Sequence, residues 1–172
     1  MVNEKFSNIK LLLLDVDGVL TDGKITYTDK GEEIKSFNSK DGLGIRLLMD
    51  SGIKVGIITG RKSDALVHRC KNLGIELLFE GITDKLQTFK DILKKTGLHS
   101  DNTAFAGDDL PDLPVMKAVA LAITPADAPE YIKEHADFVT RQKGGEGAIR
   151  EICDKILQAQ GKWETIIEKY VS

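Results

Sequence analysis

Neither a membrane span nor an export leader is expected from this chain. Its apolar runs, such as Ile9–Leu14, fall far short of the ~18 residues that a spanning helix needs. Its start, Met1-Val-Asn-Glu-Lys5, lacks the apolar stretch of a signal peptide. Cysteine is scarce: Cys70 and Cys153 are the only two, far apart and in no CxxC pattern, which argues against a disulfide framework and for free thiols in a reducing compartment. No excess of positive charge exists either. Twenty-four Lys and Arg face 27 Asp and Glu, a net charge of −3, so bulk charge would not hold the protein on nucleic acid. His68, His99 and His135 are too scattered for an HExxH zinc site, and no GxSxG nucleophile elbow occurs. Proline is rare, with four residues, and no Pro/Gly/Ser-rich linker or repeat divides the chain. What is present is ordinary globular composition, 41% apolar and 30% charged, over 172 residues, enough for one domain with a buried core. A cytoplasmic enzyme or binding protein is expected, with residues 1–172 forming a single domain.

The hydrophobic pattern alternates. Ile9–Leu14 and Ile53–Ile58 read as strands buried on both faces, and shorter runs follow at Glu76–Phe79, Thr103–Ala106, Ala118–Ile123 and Asp137–Val139. Between them, helical spacing predicts helices over Asp41–Asp50, Asp64–Leu73, Lys85–Lys95, Leu113–Lys117 and Glu146–Gln160. The alternation predicts an α/β fold with a doubly wound, mostly parallel sheet. One segment breaks the rule. Residues 24–37 carry two β-like runs around Asp29-Lys-Gly31, a hairpin signal where a helix is due. The tail, residues 161–172, holds Trp163, Ile166, Ile167, Tyr170 and Val171, suited to packing on its own domain or on a neighbour.

Ligands of open α/β sheets bind beyond the carboxyl ends of the strands. There the first run ends in Asp15-Val-Asp17-Gly18 and the second in Thr59-Gly60-Arg61. Lys85 opens the helix after the third, and the fourth ends in Gly107-Asp108-Asp109 with Asp112 three residues on. Each motif alone is weak, because Asp-Gly is common in turns and acids favour helix starts. Their joint order and placement are what point to a site. Several carboxylates at one rim raise each other's pKa. A hard divalent cation such as Mg²⁺ removes that cost. The Thr59 hydroxyl, N–H groups near Gly60 and the Lys85 cation suit phosphate. Of Asp15 and Asp17, one carboxylate can attack phosphorus and the other can shuttle protons. Gly56-Ile-Ile-Thr-Gly60-Arg-Lys-Ser63 is one residue short of a P-loop, and the Asp15 loop does not continue as a calcium loop.

With these residues in place, Asp15-x-Asp17-Gly18, Thr59-Gly60, Lys85 and Gly107-Asp108-Asp109-x-x-Asp112 resemble the four motifs of the haloacid dehalogenase superfamily of phosphatases. The segments Asp15–Gly23, Lys40–Gly44, Ile58–Ser63 and Gly144–Glu151 are similar to a branch acting on an eight-carbon sugar acid phosphate of lipopolysaccharide core synthesis. The resemblance implies Asp15 as nucleophile and Asp17 as general acid and base. It implies Mg²⁺ held by Asp15, the Asp17 main-chain carbonyl and Asp108. Thr59, Gly60 and Lys85 would bind the phosphoryl group, with Asp109 and Asp112 placing the lysine or the metal's waters. Arg61, where phosphatases of nine-carbon sialic-type sugars tend to carry an acid, would pair with the substrate carboxylate. The loop Gly144–Gly147 would shape the substrate mouth. Lys62 and Arg69 are expected in solvent or at an interface.

Only 41 residues, Gly18 to Ile58, separate Asp17 from Thr59, and the hairpin, a helix and a strand use them. No separate cap domain fits. The resemblance implies a homotetramer in which hairpins associate and a neighbour's C-terminal segment, with Trp163, Ile166 and Ile167 as contacts, covers the site. Other readings remain: a phosphatase of a nine-carbon sugar acid phosphate, a phosphate-receiver module, or a regulatory subunit of a sugar-nucleotide synthetase. The receiver reading lacks an acceptor, since the third run ends in Phe79-Glu80-Gly81.

Overall fold

A computed structural model describes residues 2–171. Eight strands are present among them: β1 Leu11–Leu14, β2 Thr26–Tyr27, β3 Glu33–Ile34, β4 Lys54–Ile58, β5 Leu77–Phe79, β6 Thr103–Ala106, β7 Leu121–Thr124 and β8 Phe138–Val139. The helices are α1 Val2–Ser7, α2 Ser39–Asp50, α3 Asp64–Leu73, α4 Lys85–Thr96, α5 Leu113–Met116, α6 Glu130–Lys133, α7 Ala148–Ala159 and α8 Trp163–Val171. Six strands form one parallel sheet in the order β5-β4-β1-β6-β7-β8. The chain therefore leaves β1 for one side of the sheet and later returns to its other side at β6. That reversal lies at the carboxyl end of β1, where a ligand crevice opens in such sheets.

The alternation of side chains along β1 builds the layers. Leu12 and Leu14 join a core with Ile45 and Leu48 of α2 and with Ile149, Ile152 and Ile156 of α7. Leu11 and Leu13 point to the other face, against Phe89 and Ile92 of α4 and Val115 of α5. All four leucines are fully buried. At ~1.5–3 kcal/mol per buried leucine, this strand alone anchors both faces of the sheet. Local chemistry sets the helix starts. The Asn38 side chain accepts from the N–H groups of Lys40 and Asp41 at α2, and Asp84 accepts from Gln87 N–H at α4.

The expected strands and helices are present, with ends shifted by up to three residues. Helix α8, expected only as an apolar tail, is not among the helices that the pattern predicts, nor are the short helices α1 and α6 and two 3-10 turns, Ser100–Asn102 and Leu110–Asp112. The short helices and turns have too few residues to show a period. Between residues 24 and 37, β2 and β3 pair antiparallel as a separate ribbon, with Tyr27 opposite Glu33. In the tail, Trp163 and Ile166 are partly buried against the chain's own core, whereas Ile167, Tyr170 and Val171 are exposed. Arg69 is not simply solvated. It donates to the Asn38 carbonyl at 3.1 Å and lies 5.8 Å from the centre of the Phe37 ring.

Candidate active site

Four segments meet at the carboxyl ends of β1, β4 and β6 and at the start of α4. The Asp15 N–H continues the sheet by donating to the Ala106 carbonyl at 2.9 Å, which seats its side chain at the rim. The Val16 carbonyl then accepts from Val19, Leu20 and Thr21, folding the chain sharply back. Gly18, with φ of +89°, makes that turn, and a Cβ there would lie 2.0 Å from Asp108 Oδ2. Thr59 follows β4, is buried, and accepts from Arg61 N–H at 3.4 Å. Residues Asp15, Asp17, Thr59, Gly60, Arg61, Lys85, Asp108, Asp109 and Asp112 all line one cavity of about 320 Å³. Every site residue expected from the sequence is therefore in one place.

Lys85 is the first residue of α4, and its side chain is only 7% exposed. Its ammonium lies 2.8 Å from Asp15 Oδ1 and donates to Asp112 Oδ1 at 2.6 Å. Burial pulls the Lys85 pKa down, but the two carboxylates outweigh it and leave the pKa above the usual lysine value. Asp112 spends its other oxygen on the N–H groups of Asp108 and Asp109, at 3.0 and 3.2 Å. It thus ties the lysine to the loop after β6. Asp109 is exposed, accepts from Leu110 N–H at 2.8 Å and meets the Tyr131 hydroxyl at 3.4 Å.

Asp15, Asp108 and Asp112 offer carboxylate oxygens within 4.8 Å of one another. Burial first, and the Asp112 charge next, raise the Asp15 pKa to about 6, against the pull of Lys85. Asp108 is pushed up to about 8 by burial and by the charges of Asp15, Asp112 and Asp109. Its Oδ1 is buried with no hydrogen-bond partner. An orphaned carboxylate oxygen beside a second carboxylate is what a hard divalent cation requires, so the residues fit one. Since Asp112 is committed to Lys85 and to backbone N–H groups, Asp15 and Asp108 are the side chains left to hold it.

Asp17 stands apart from this cluster. Its carboxylate takes a short hydrogen bond from Lys35, and its Oδ2 lies 3.8 Å from Arg61 Nε. Arg61 in turn donates through Nη2 to Glu33 Oε2 and to the Tyr27 hydroxyl. Three hairpin residues thus reach the site: Tyr27, Glu33 and Lys35. From sequence the hairpin is expected only at contacts between subunits. The missed signal is an inverted period of two. Glu33, Lys35 and Phe37 are partly buried while Ile34 and Ser36 are exposed, so the charged residues face inward. The loop at Gly144–Gly147 does not line the cavity. It packs behind the Asp15 loop, where a Cβ on Gly144 would lie 1.9 Å from the Gly18 carbonyl oxygen.

A model of the haloacid dehalogenase-like hydrolase family matches residues 75–152. The chain is 51% identical over 161 residues to 3-deoxy-D-manno-octulosonate 8-phosphate phosphatase of Escherichia coli (strain B / BL21-DE3), covering 94% of this chain and 86% of that one. Its fold matches the crystal structure of the phosphatase of that name from Moraxella catarrhalis, in complex with magnesium ion, phosphate ion and KDO. There the TM-score is 0.96 and the identity 40%, over 98% of this chain and 97% of that one. It also matches the cobalt-bound deoxy-D-mannose-octulosonate 8-phosphate phosphatase of Haemophilus influenzae, with a TM-score of 0.93 and 45% identity, over 98% and 99% of the two chains.

Proposed function

The chain belongs to the haloacid dehalogenase-like hydrolases, among the 3-deoxy-D-manno-octulosonate 8-phosphate phosphatases, and on that premise we propose that it hydrolyses this sugar acid phosphate to the free sugar acid and phosphate. The observation that carries the proposal is the Asp15–Lys85–Asp112 bridge set against the unpartnered Asp108 oxygen in one cavity. That arrangement joins a nucleophile, a phosphate-binding cation and a cation seat.

With its pKa at about 6, Asp15 is ionised at neutral pH and available to attack. Its oxygen bonds to phosphorus as the ester P–O bond breaks, and Asp17 gives its proton to the departing sugar oxygen. Asp17 next takes a proton from water as the water oxygen bonds to phosphorus. The aspartyl-phosphate bond then breaks, and phosphate and carboxylate are restored. Lys85, the Thr59 hydroxyl and N–H groups near Gly60 hold the phosphoryl oxygens, while Asp112 keeps Lys85 aimed. Asp15 and Asp108, with the Asp17 main-chain carbonyl as the resemblance implies, would hold Mg²⁺, which when bound would supply Lewis-acid charge to the site. Arg61 engages Glu33 and Tyr27 through Nη2 and faces Asp17 through its buried Nε, which leaves Nη1 for the substrate carboxylate.

A homotetramer acting in the cytoplasm fits the same reading. The hairpin exposes Ile25, Tyr27 and Ile34, and α8 exposes Ile167, Tyr170 and Val171. These are apolar surfaces suited to neighbouring subunits and to a C-terminal lid. Among the described residues, no helix is long and apolar enough to cross a membrane.

The test is phosphate release from a panel holding eight- and nine-carbon sugar acid phosphates, with Mg²⁺ present. The eight-carbon ester should be preferred, and Asp15→Ala should abolish release. Preference for the nine-carbon ester would move the substrate assignment. Full activity in the Asp15→Ala protein would overturn the nucleophile.

A further inference from the structure

We propose that Lys35, on the hairpin, is a positioning residue that fixes the Asp17 carboxylate for proton transfer, with Glu33 as its tether. The proposal rests on the phosphatase reading above and deepens it. The Lys35 side chain is only 2% exposed, although it extends from a ribbon outside the main sheet. Its ammonium donates to Asp17 Oδ1 and lies 2.9 Å from Glu33 Oε1. A buried ammonium holding two carboxylates is an anchored group, unlike a solvated lysine. Glu33 is itself held from its other side by Arg61.

The consequence falls on Asp17. That residue lies in the loop after β1 and not in the sheet, so nothing in the ladder fixes its side chain. Lys35 takes Oδ1 and leaves Oδ2 as the oxygen that carries a proton to the departing group and later removes one from water. An acid displaced by about 1 Å loses on the order of a hundredfold in rate. The hairpin therefore completes, within one chain, a site whose other groups come from the sheet rim and the start of α4.

Two esters separate this role from a structural one. An alkyl ester, the eight-carbon sugar acid phosphate, needs a proton on its leaving oxygen. p-Nitrophenyl phosphate has a leaving group that departs without one. In Lys35→Met, kcat on the alkyl ester should fall about a hundredfold with KM within about threefold. On p-nitrophenyl phosphate the same variant should release a burst of one nitrophenolate per active site. A slowed steady state should follow, because hydrolysis of the aspartyl-phosphate still needs the base. Lys35→Arg, which keeps a cation, should recover most of the rate. Glu33→Gln weakens the tether and also the Glu33–Arg61 pair, so it should raise KM for the sugar acid ester yet show the same burst on p-nitrophenyl phosphate with about tenfold slowing, and that burst carries the test should the methionine variant fail to fold.

An equal fall on both esters without a burst would make Lys35 merely structural. A raised KM with unchanged kcat would make it a substrate contact, and either result overturns the proposal, as do wild-type kinetics. Wild-type protein that releases phosphate from neither ester overturns the phosphatase reading and this inference with it.

Discussion

Gly18→Ala isolates how tightly the turn after β1 is coupled to the cation seat. Two costs separate cleanly. The backbone there has φ of +89°, and an alanine in that region costs ~1–2 kcal/mol. For a chain of this size that lowers Tm by about 2–8 °C. The second cost is steric. The new Cβ would sit 2.0 Å from Asp108 Oδ2 and 2.6 Å from its Cγ, so the carboxylate must retreat by at least about 1 Å. A carboxylate at the end of its side chain swings away cheaply, so stability barely registers this second effect. The cation seat does register it, because Asp108 is one of the two carboxylates left to hold the ion. Mg²⁺ affinity should fall tenfold or more, equivalent to ~1.4 kcal/mol. Gly52→Ala is the control. Its φ is +85° but nothing lies within 4 Å of the added carbon. Thermal melts in EDTA should show similar losses for both variants. Calorimetric Mg²⁺ titration should show a loss for Gly18→Ala alone. If Gly18→Ala binds Mg²⁺ as tightly as Gly52→Ala, the Asp108 oxygen is not part of the seat.

Two further outcomes follow from the charges. Unfolded, the Asp108 carboxyl ionises near 3.8; folded without a cation it holds its proton to about 8. The folded form thus binds the extra proton, and cation-free stability falls as pH rises from about 4 to 8. Asp108→Asn removes that slope, so urea melts in EDTA should show it more stable than wild type by about 2–4 kcal/mol at pH 8 and level with it near pH 4. A gap that does not change with pH would contradict the burial argument. Lys85→Met leaves the buried carboxylates of Asp15 and Asp112 facing each other without the ammonium between them. It should cost about 3–5 kcal/mol at pH 8 and less at pH 5, where a carboxylate of raised pKa takes up a proton. Denaturant melts at the two pH values check it, and an equal loss at both would show that packing, not charge, is what the lysine supplies.

The sheet was legible because each buried strand carries its own signature. Leu11–Leu14 and the β4 run are apolar on both faces, which a parallel sheet between two helix layers demands. The rim of the site was legible for the same reason: once strand ends are known, the residues just beyond them must converge. The hairpin's part in the site was not legible. Its strands are two residues each, and its inward face is charged while Ile34 is exposed, the reverse of the usual pattern. Lys35 reads in sequence as a surface lysine. Only the fold shows that two carboxylates wait for it, because Asp17 lies 18 residues earlier in the chain. Asp112 taken alone reads as an acid near a helix start; the resemblance is what assigns it to placing the lysine or the metal's waters, and in the fold it bonds Lys85, 27 residues away.

Charge balance divides the site into two halves that differ in kind. Around the hairpin, Asp17 and Glu33 are matched by Lys35 and Arg61, so that half is neutral on its own. Around the sheet rim, Asp15, Asp108 and Asp112 share the single ammonium of Lys85, which leaves two negative charges when all three are ionised. A phosphate dianion brought there would meet repulsion that Lys85 alone does not cancel. A divalent cation restores neutrality and leaves the lysine to the phosphoryl group. The hairpin half, balanced with Asp17 ionised, therefore needs no cation to hold its geometry, whereas the rim half depends on the cation to keep Asp108 ionised. That division predicts that chelation weakens the rim without disturbing the Lys35–Asp17 contact. Amide exchange should rise with EDTA in the loop after β6 and stay unchanged along the hairpin, and a hairpin that loosens with it would show the two halves to be one coupled unit.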